Sequence, residues 1–469
     1  MELLTATNAS RLGIGLLAYL VLQTLYRLYW HPLRRYHFQL VKMHKQYGPI
    51  VRVSPNEVHI IDPTFYEEIY SGSTRRRNKT PQYGPQFGMP DSLHFFSKRS
   101  IQSLSPITER CVLKLMQRLQ EFYEADQVVR LDDAFAAMTS DVITYYSYGE
   151  SQGFLEDATF RSEIRTLVNE LAATSHLNRF IPVMSMLLRR IPPRWLAALQ
   201  PSRAATYDYL ASIYALSAQS AVPDAAAAET HRKHMKHATI FAQLSDPSIP
   251  ASERTRARFQ DEAVQFLLAG TETTSSILTY AAYILGRRKE YVERLRAELR
   301  TVLPTPTSTA SWTELEKLPF LTAIITESLR LAPPIIRLPR VAPTETLVYN
   351  GYKLPPGTVL GASAWFIHRD PTLFPDGDTF DPERWLQGEK SEHRKRYMVA
   401  FSKGSRGCVG INLAYNELYL ALAYLVRRFE FELFDTTPED MEMVAETVLQ
   451  VTRRGFPTVY ARITGLVGE

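Results

Sequence analysis

The order of apolar and polar positions along the 469 residues predicts a mainly α chain with a small β region. A helical repeat of apolar positions fills most of residues 105–300 and returns at 321–331. Short apolar stretches at 50–54 and 58–61, separated by a turn sequence, predict a β-hairpin. Further short strands are expected around 349–357, where asparagine, glycine and proline supply the turns.

The amino terminus carries a separate apolar segment. Residues 12–30 are apolar except for Gln23, Thr24 and Arg27, which is close to the ~20 residues that span a bilayer. Four basic residues follow within 15 positions and one precedes, so the positive-inside rule places the following chain in the cytosol. A cleaved signal peptide is the alternative, but no small-residue cleavage site follows the segment.

These features predict a short lumenal tail at 1–11, a single-pass endoplasmic reticulum anchor at 12–30 and one domain at 31–469. Asn8 lies in a glycosylation sequon on the lumenal side, which would make the chain a glycoprotein. The hydrophobic content of 45% is enough for one large core.

Cysteine and charge restrict the function classes. The two cysteines, Cys111 and Cys408, cannot form a disulfide framework, which favours a reducing compartment. Cys111 lies in a helical run and is expected in the core. The net charge of +5 comes without a nucleic-acid-binding module, so no nucleic acid is expected. The basic cluster at 393–396, with Lys403, is either a solvated surface or a docking surface for an acidic electron donor.

The strongest chemical signal is the segment 401–410, FSKGSRGCVG. Cys408 offers a thiolate that can bind a metal. Gly404 and Gly410 allow the backbone to turn tightly and to pass close to a flat ligand. Arg406 is placed two residues before the cysteine, where it can pair with a carboxylate. Taken alone, the motif also fits a buried cysteine in a glycine-containing loop.

A second signal lies at 261–274, where an apolar helical pattern is interrupted by a short stretch of small and polar residues that begins at Gly270. Gly270 inside a helix costs roughly 1 kcal/mol relative to alanine, so it requires a reason. Glu272 and Thr273 follow directly. Such clusters also occur as caps or solvated helix faces, but apolar residues on both sides disfavour that reading here.

Together with two further motifs, these segments resemble the cytochrome P450 family, and the resemblance covers essentially the whole chain. The further motifs are a Glu-x-x-Arg pair on a helix and a Pro-Glu-Arg segment, which contribute Glu327, Arg330 and Arg384. Residues 47–57 and 88–94 look like fungal P450s of secondary metabolism, the trichodiene-oxygenase-like enzymes among them.

The resemblance implies a cytochrome P450 fold that binds haem b. Cys408 would be the axial ligand of the iron, with Phe401 covering the proximal side and Gly410 beside the porphyrin. Arg337 and Arg406 would reach haem propionates. Glu327, Arg330 and Arg384 would form a buried structural triad, and His368 is either near the haem edge or structural.

The helix would open at Gly270 to admit dioxygen, and Glu272 and Thr273 would handle protons. The implied activity is a monooxygenase that acts on a lipophilic secondary metabolite, with a terpenoid favoured and a polyketide or an alkaloid as open alternatives. Because the chain has no flavin or nicotinamide fingerprint, electrons would come from NADPH–cytochrome P450 reductase, with cytochrome b5 as a second donor. The open alternatives are a reductase-independent isomerase or dehydratase, and a truncated P450-like chain with impaired haem binding.

The chain departs from its family in two places. After Tyr36 the usual Pro-Gly-Pro hinge is absent, and after His94 a basic stretch of two or three helical turns is absent. The second gap removes arginines that would meet a haem propionate. We therefore predict weaker haem binding than in a chain that has both segments.

Overall fold

The computed structural model describes residues 35–72, 74–80, 98–162, 165–166, 204–220, 239–246, 248–446 and 449–468. The helices, numbered along this part of the chain, are α1 Tyr36–Tyr47, α2 Tyr66–Ile69, α3 Lys98–Glu124, α4 Leu131–Tyr148, α5 Ala204–Ser220, α6 Ile240–Leu244, α7 Arg256–Arg287, α8 Lys289–Leu299, α9 Trp312–Leu315, α10 Pro319–Leu331, α11 Ala364–Ile367, α12 Glu389–Lys395 and α13 Ile411–Arg428. The strands are β1 Ile50–Ser54, β2 Glu57–Ile60, β3 Asn78–Lys79, β4 Val128–Arg130, β5 Arg340–Val341, β6 Leu347–Tyr349, β7 Tyr352–Leu354, β8 Val359–Gly361, β9 Phe429–Phe434, β10 Ala445–Glu446, β11 Gln450–Val451 and β12 Tyr460–Leu466.

Helix α7 lies at the centre of the helical region and packs against α4, α5 and α13. It begins where the Thr255 hydroxyl accepts a hydrogen bond from the Arg258 N–H at 3.3 Å, which satisfies one of the free donors of the first turn. Helix α4 is buried along almost its whole length and ends at Gly149, whose φ of 87° is the left-handed conformation that glycine adopts without strain. The core between these helices therefore surrounds α7.

The strands form several small sheets, and the largest of them contributes Lys79 and Arg340 to the wall of the cavity described below. The largest has the strand order β1-β2-β8-β5-β3, with β2 and β8 parallel and the other pairs antiparallel. A second sheet has the order β4-β12-β9. Strand β5 brings Arg340 and strand β3 brings Lys79 to the same sheet edge, where they are paired in register.

The structure confirms a mainly helical chain with a small β region. The hairpin is confirmed as β1 and β2, and the strands near 349–357 as β6 and β7. The anchor at 12–30 and the Asn8 sequon lie outside the described residues. Within the described part, no helix has the length and apolar character of a membrane span. The boundary of the domain at 31 stays a prediction.

Candidate active site

The loop that precedes α13 carries Cys408 and is fixed by backbone hydrogen bonds. The Cys408 N–H donates to the Phe401 carbonyl at 2.8 Å, and the Ser405 N–H donates to the Ser71 carbonyl at 3.1 Å. Gly404 has a φ of 73°, and a Cβ there would overlap the carbonyl oxygens of residues 70 and 71. Only glycine therefore fits this position, as the sequence indicated for Gly404.

The Cys408 side chain opens into a cavity. Burial raises the pKa of the Cys408 thiol, and the backbone N–H of Gly410 opposes that shift. Gly410 has a φ of −84°, so its backbone makes no special demand for glycine. A Cβ at Gly410 would lie 4.0 Å from the Cys408 Sγ, and glycine therefore leaves this side of the sulfur uncrowded. A metal cation at the sulfur would stabilise the thiolate outright.

The cavity above Cys408 has a volume of about 300 Å³ and a largely apolar wall. The ring of Phe401 lines it on the cysteine side and lies 5.3 Å from the ring of Tyr415. Apolar residues from α7, from the segment after α10 and from α13 complete most of the wall: Phe266, Ala269, Ile277, Pro334, Ile335, Ile336, Leu338, Leu413, Ala414 and Leu418.

Gly270 lies on the part of α7 that faces the cavity. The helix does not open there, because α7 is continuous from Arg256–Arg287. A Cβ at Gly270 would lie 2.7 Å from Cγ1 of Ile143 on α4. Ile143 also lines the cavity, so it occupies the space that the missing side chain leaves. The sequence-based reading that the helix opens at Gly270 is therefore wrong, and close helix packing explains the glycine.

Thr273 lies on the cavity wall, one turn after Gly270. Its hydroxyl donates to the Ala269 carbonyl at 2.7 Å, and the oxygen can still accept a hydrogen bond from the cavity. Among the predicted site residues, the structure brings Thr273, Arg337, Phe401, Arg406, Cys408 and Gly410 to this one cavity.

Glu272 does not line the cavity. Its side chain is fully buried and accepts a hydrogen bond from Arg165 Nε at 2.9 Å. Arg165 also pairs with Asp132 and Asp133 of α4. Burial raises the pKa of the Glu272 carboxyl, and the Arg165 guanidinium opposes that shift. The predicted proton role of Glu272 therefore has no direct geometric basis here and stays a prediction.

Positive charges face the same cavity as the thiol. Among the described lining residues these are Lys79, Arg337, Arg340 and Arg406. Burial, together with the nearby Arg406 and Arg340 guanidinium groups, lowers the pKa of Lys79 to about 8. An anionic group between these cations would relieve their repulsion and form charge-assisted hydrogen bonds. A haem fits this arrangement, with its iron at the Cys408 sulfur and its propionates at the cations.

The two arginines of the 337–340 segment differ in their surroundings. Arg337, the predicted propionate residue, forms an ion pair with Glu57 of β2 and stacks over the Tyr36 ring at 5.0 Å. Arg340 is buried and donates to the carbonyls of Leu338 and Pro339. Among the described residues, no acidic side chain pairs with Arg340, so Arg340 fits a propionate at least as well as Arg337.

The residues that the sequence assigned to structure form one buried, hydrogen-bonded group. Glu327 receives hydrogen bonds from Arg330 at 2.8 Å and from Arg384 at 3.0 Å, and Trp385 Nε1 donates to the same carboxylate at 2.8 Å. The predicted triad is therefore confirmed as a buried structural group. Trp385 is a fourth member that its place in the Pro-Glu-Arg segment could have indicated.

His368 is structural and lies outside the cavity wall. Its Nδ1 donates to the Arg330 carbonyl at 2.9 Å, and its Nε2 accepts from the Val399 N–H at 2.9 Å. Burial and the Arg330 charge lower the pKa of His368 to about 3, so the ring is neutral. It connects the end of α10 to the segment that leads into the Cys408 loop.

Sequence reasoning missed Lys79, Arg340 and Glu417, which also line the cavity. Arg340 lies three residues beyond Arg337 in the same arginine-containing segment, and that repeat was the available signal. Lys79 lies in a two-residue strand and carries no motif of its own. Glu417 lies nine residues beyond Cys408, on helix α13, which follows the Cys408 loop.

Proteins of similar sequence and of similar structure are known for this chain. The family model for cytochrome P450 matches residues 89–457. Conidiogenone synthase of Penicillium rubens is 38% identical over 90% of this chain and 87% of its own length. The cytochrome P450 monooxygenase TRI4 of Fusarium sporotrichioides is 35% identical over 96% of this chain and 93% of its own length.

A solved structure gives the same fold. The haem domain of cytochrome P450DA superposes with a TM-score of 0.69 over 92% of this chain and 94% of its own, at 18% sequence identity. The haem cofactor and its cysteine ligand, inferred above from the cavity, agree with the family match. The chain belongs to the cytochrome P450 family and is a haem-thiolate monooxygenase.

Proposed function

We propose that this protein inserts one oxygen atom from O2 into a terpenoid-like hydrocarbon skeleton during the biosynthesis of a fungal secondary metabolite. The observation that carries the proposal is the meeting of the Cys408 thiol and the Thr273 hydroxyl on one apolar cavity. The relatives named above include a conidiogenone synthase and a TRI4 monooxygenase, both from fungi. A lipophilic substrate fits the isoleucine, leucine and phenylalanine side chains of the wall.

The haem, when bound, supplies the activation of dioxygen, and the chain supplies position and protons. Thr273 acts directly, because its hydroxyl lies on the cavity wall and can hold a water molecule or a proton donor there. Glu272 acts only after its carboxylate leaves Arg165, since it is buried away from the cavity in the ion pair. Ile335 and Ile336 exclude water and orient the substrate by contact.

The electron donor is NADPH–cytochrome P450 reductase, with cytochrome b5 as an accessory donor. Lys403 and Arg396 lie near the Cys408 loop, and a basic surface there would favour an acidic donor. Residues 12–30 anchor the protein in the endoplasmic reticulum membrane with the domain in the cytosol. The apolar composition of these residues and the basic residues after them support this placement.

The experiment is a reconstitution with purified reductase, NADPH and 18O2, using trichodiene-like and other terpene hydrocarbons as substrates. We expect one 18O atom in each product molecule and no product without reductase. Product that forms without reductase and without 18O would instead support the isomerase or dehydratase alternative. A matched chain with Cys408→Ala controls for oxidation that does not involve the thiolate.

A further inference from the structure

Helix α7 places an uncharged amide on a largely apolar part of the cavity wall. Gln265 lines the cavity together with Ala269 and Thr273, which follow it at intervals of four residues and therefore share its face of the helix. Phe266, the next residue along α7, and Ile143 of α4 add apolar side chains to the same wall. The activation of dioxygen does not require the Gln265 amide, so its presence among these side chains needs another explanation.

The amide of Gln265 has no hydrogen-bond partner among the described residues. The side chain is half-buried, and its polar atoms are not among the fully buried atoms that lack a partner, so they remain accessible. In a solvent-filled cavity, water can satisfy such an amide. A pure hydrocarbon that filled the cavity would displace this water and leave the amide unpaired, which is unfavourable. A ligand that carries an oxygen atom at this point would avoid that cost.

The chemistry of Gln265 differs from that of the cations on the wall. Lys79, Arg337, Arg340 and Arg406 match the negative charge of haem propionates. An amide is neutral and has both donor hydrogens and an acceptor oxygen, so it can pair with a hydroxyl in either direction and with a carbonyl as a donor. The wall therefore has one group of charged side chains suited to the cofactor and a neutral amide suited to a neutral ligand.

The position of Gln265 sets the part of the ligand that it can meet. Gln265 lies eight residues before Thr273, which corresponds to about 12 Å along the axis of α7. Thr273 marks the end of the wall where dioxygen is activated, because it is the residue proposed to hold the proton donor there. An oxygen atom bound by Gln265 would therefore belong to the end of the ligand that is remote from the carbon under attack. A few polar groups placed in this way on an apolar wall fix the orientation of a ligand.

We propose that Gln265 is a specificity-determining residue that hydrogen-bonds a hydroxyl or carbonyl oxygen already present on the substrate. The proposal rests on the monooxygenase function and deepens it, because it names the substrate class as a terpenoid that is already oxygenated. The reaction that supplies this substrate must therefore introduce oxygen, either by an earlier oxygenation or by a cyclisation that ends with the capture of water. Gln265 forms no covalent bond in this role.

The first test measures binding without turnover. The full haem-loaded chain is titrated with three pairs of sesquiterpenes, each an alcohol and a hydrocarbon of the same skeleton: farnesol and farnesene, bisabolol and bisabolene, cedrol and cedrene. The change in haem absorption gives both dissociation constants. In Gln265→Met, which keeps the length of the side chain and removes the amide, the ratio of the alcohol constant to the hydrocarbon constant should rise about tenfold in at least one pair. Gln265→Leu should give the same change.

The matched control is Gln260→Met. Gln260 is a half-buried glutamine of the same helix that does not line the cavity, so this change should leave the ratio unaltered. The reduced carbon monoxide spectrum shows in each variant whether the protein has folded and bound haem. A ratio that is unchanged in all three pairs, or that rises equally in Gln260→Met, would overturn the proposal. Faster haem loss from Gln265→Met with an unchanged ratio would assign the amide to the cofactor instead.

The second test follows the position of the new oxygen atom. With the alcohol whose binding depends on Gln265, the unaltered protein should form one main product, and Gln265→Met should distribute the oxygen over several positions at similar NADPH consumption. An unchanged distribution of products would contradict the role of Gln265 in specificity. Failure of the monooxygenase function itself would differ, because the unaltered protein and Gln260→Met would then form no oxygenated product from any of the compounds.

Discussion

Glu272 and Thr273 are neighbours in the chain, yet α7 turns their side chains to different environments. Successive residues of a helix point about 100° apart. Thr273 lies on the cavity wall, whereas Glu272 is buried against Arg165, 2.9 Å from its Nε. In this conformation Thr273 can therefore exchange a proton with the cavity directly, whereas Glu272 cannot.

Thr273→Ala should uncouple electron transfer from product formation. The variant should bind haem and consume NADPH, but it should release peroxide because the hydroxyl that positions the proton is lost, with product reduced on the order of 10²-fold. Thr279→Ala is the matched control, because its hydroxyl forms the same type of bond to the carbonyl four residues earlier, outside the cavity. Equal coupling in both variants would contradict the role of Thr273 and would favour the isomerase alternative.

Gly270→Ala should destabilise the fold through Ile143. The added methyl group would lie 2.7 Å from the Ile143 side chain, and such overpacking costs about 1–3 kcal/mol. Chemical denaturation should show that Gly270→Ala lowers the free energy of unfolding less in an Ile143→Ala background than in the unaltered protein, because Ile143→Ala removes the clash. Gly72→Ala, with open space around its Cβ position, is the control. Additive effects of the Gly270 and Ile143 changes would show that the two residues do not compete for space.

Two parts of the structure were predictable from the sequence, because their residues occur at a fixed spacing within short motifs. The Cys408 loop and the Glu327 triad depend on residues whose partners are part of the same motifs, and both were found. The environment of Glu272 was not predictable, because its partner Arg165 lies more than 100 positions earlier and carries no pattern. The sequence also could not show which of Arg337 and Arg340 is available to a haem propionate. That depends on which arginine pairs with Glu57, and the position of strand β2 decides the pairing.

Acid should destabilise the protein through buried neutral histidines. Burial lowers the pKa of His37 to about 4 and that of His59 well below 6.5. Between pH 6.5 and 4 the unfolded chain binds the proton that the folded chain refuses, so the free energy of unfolding falls as pH falls through this window. His37 alone lowers the free energy of unfolding at pH 4 by on the order of 3 kcal/mol relative to neutral pH.

His37→Phe should flatten this pH dependence, since neither ring nitrogen of His37 has a hydrogen-bond partner among the described residues. The measurement is urea denaturation at several pH values, with the exposed His393→Gln as control. A slope that is unchanged in His37→Phe would mean that this histidine does not resist protonation in the fold.

The chain should hold haem less well than a version with the segments after Tyr36 and His94 restored. The alignment with TRI4 extends over 494 positions, more than the 469 residues of this chain, so the relative has residues that this chain lacks. A propionate without one charged partner loses on the order of 1.5–3 kcal/mol of bonding.

Haem transfer to apomyoglobin measures this difference directly. Faster loss from the present chain, made faster still by Arg340→Leu, is expected. Equal retention of haem in both chains would mean that the four cations of the cavity wall, Lys79, Arg337, Arg340 and Arg406, suffice.

The spectrum of the reduced carbon monoxide complex tests the central claim, that Cys408 is the axial thiolate of a haem monooxygenase. The unaltered protein should show the absorption band that is characteristic of thiolate ligation. Cys408→Ala should lose the band, and Cys111→Ala should keep it, because Cys111 is buried in the core away from the cavity. A band that survives Cys408→Ala and disappears in Cys111→Ala would contradict the assignment.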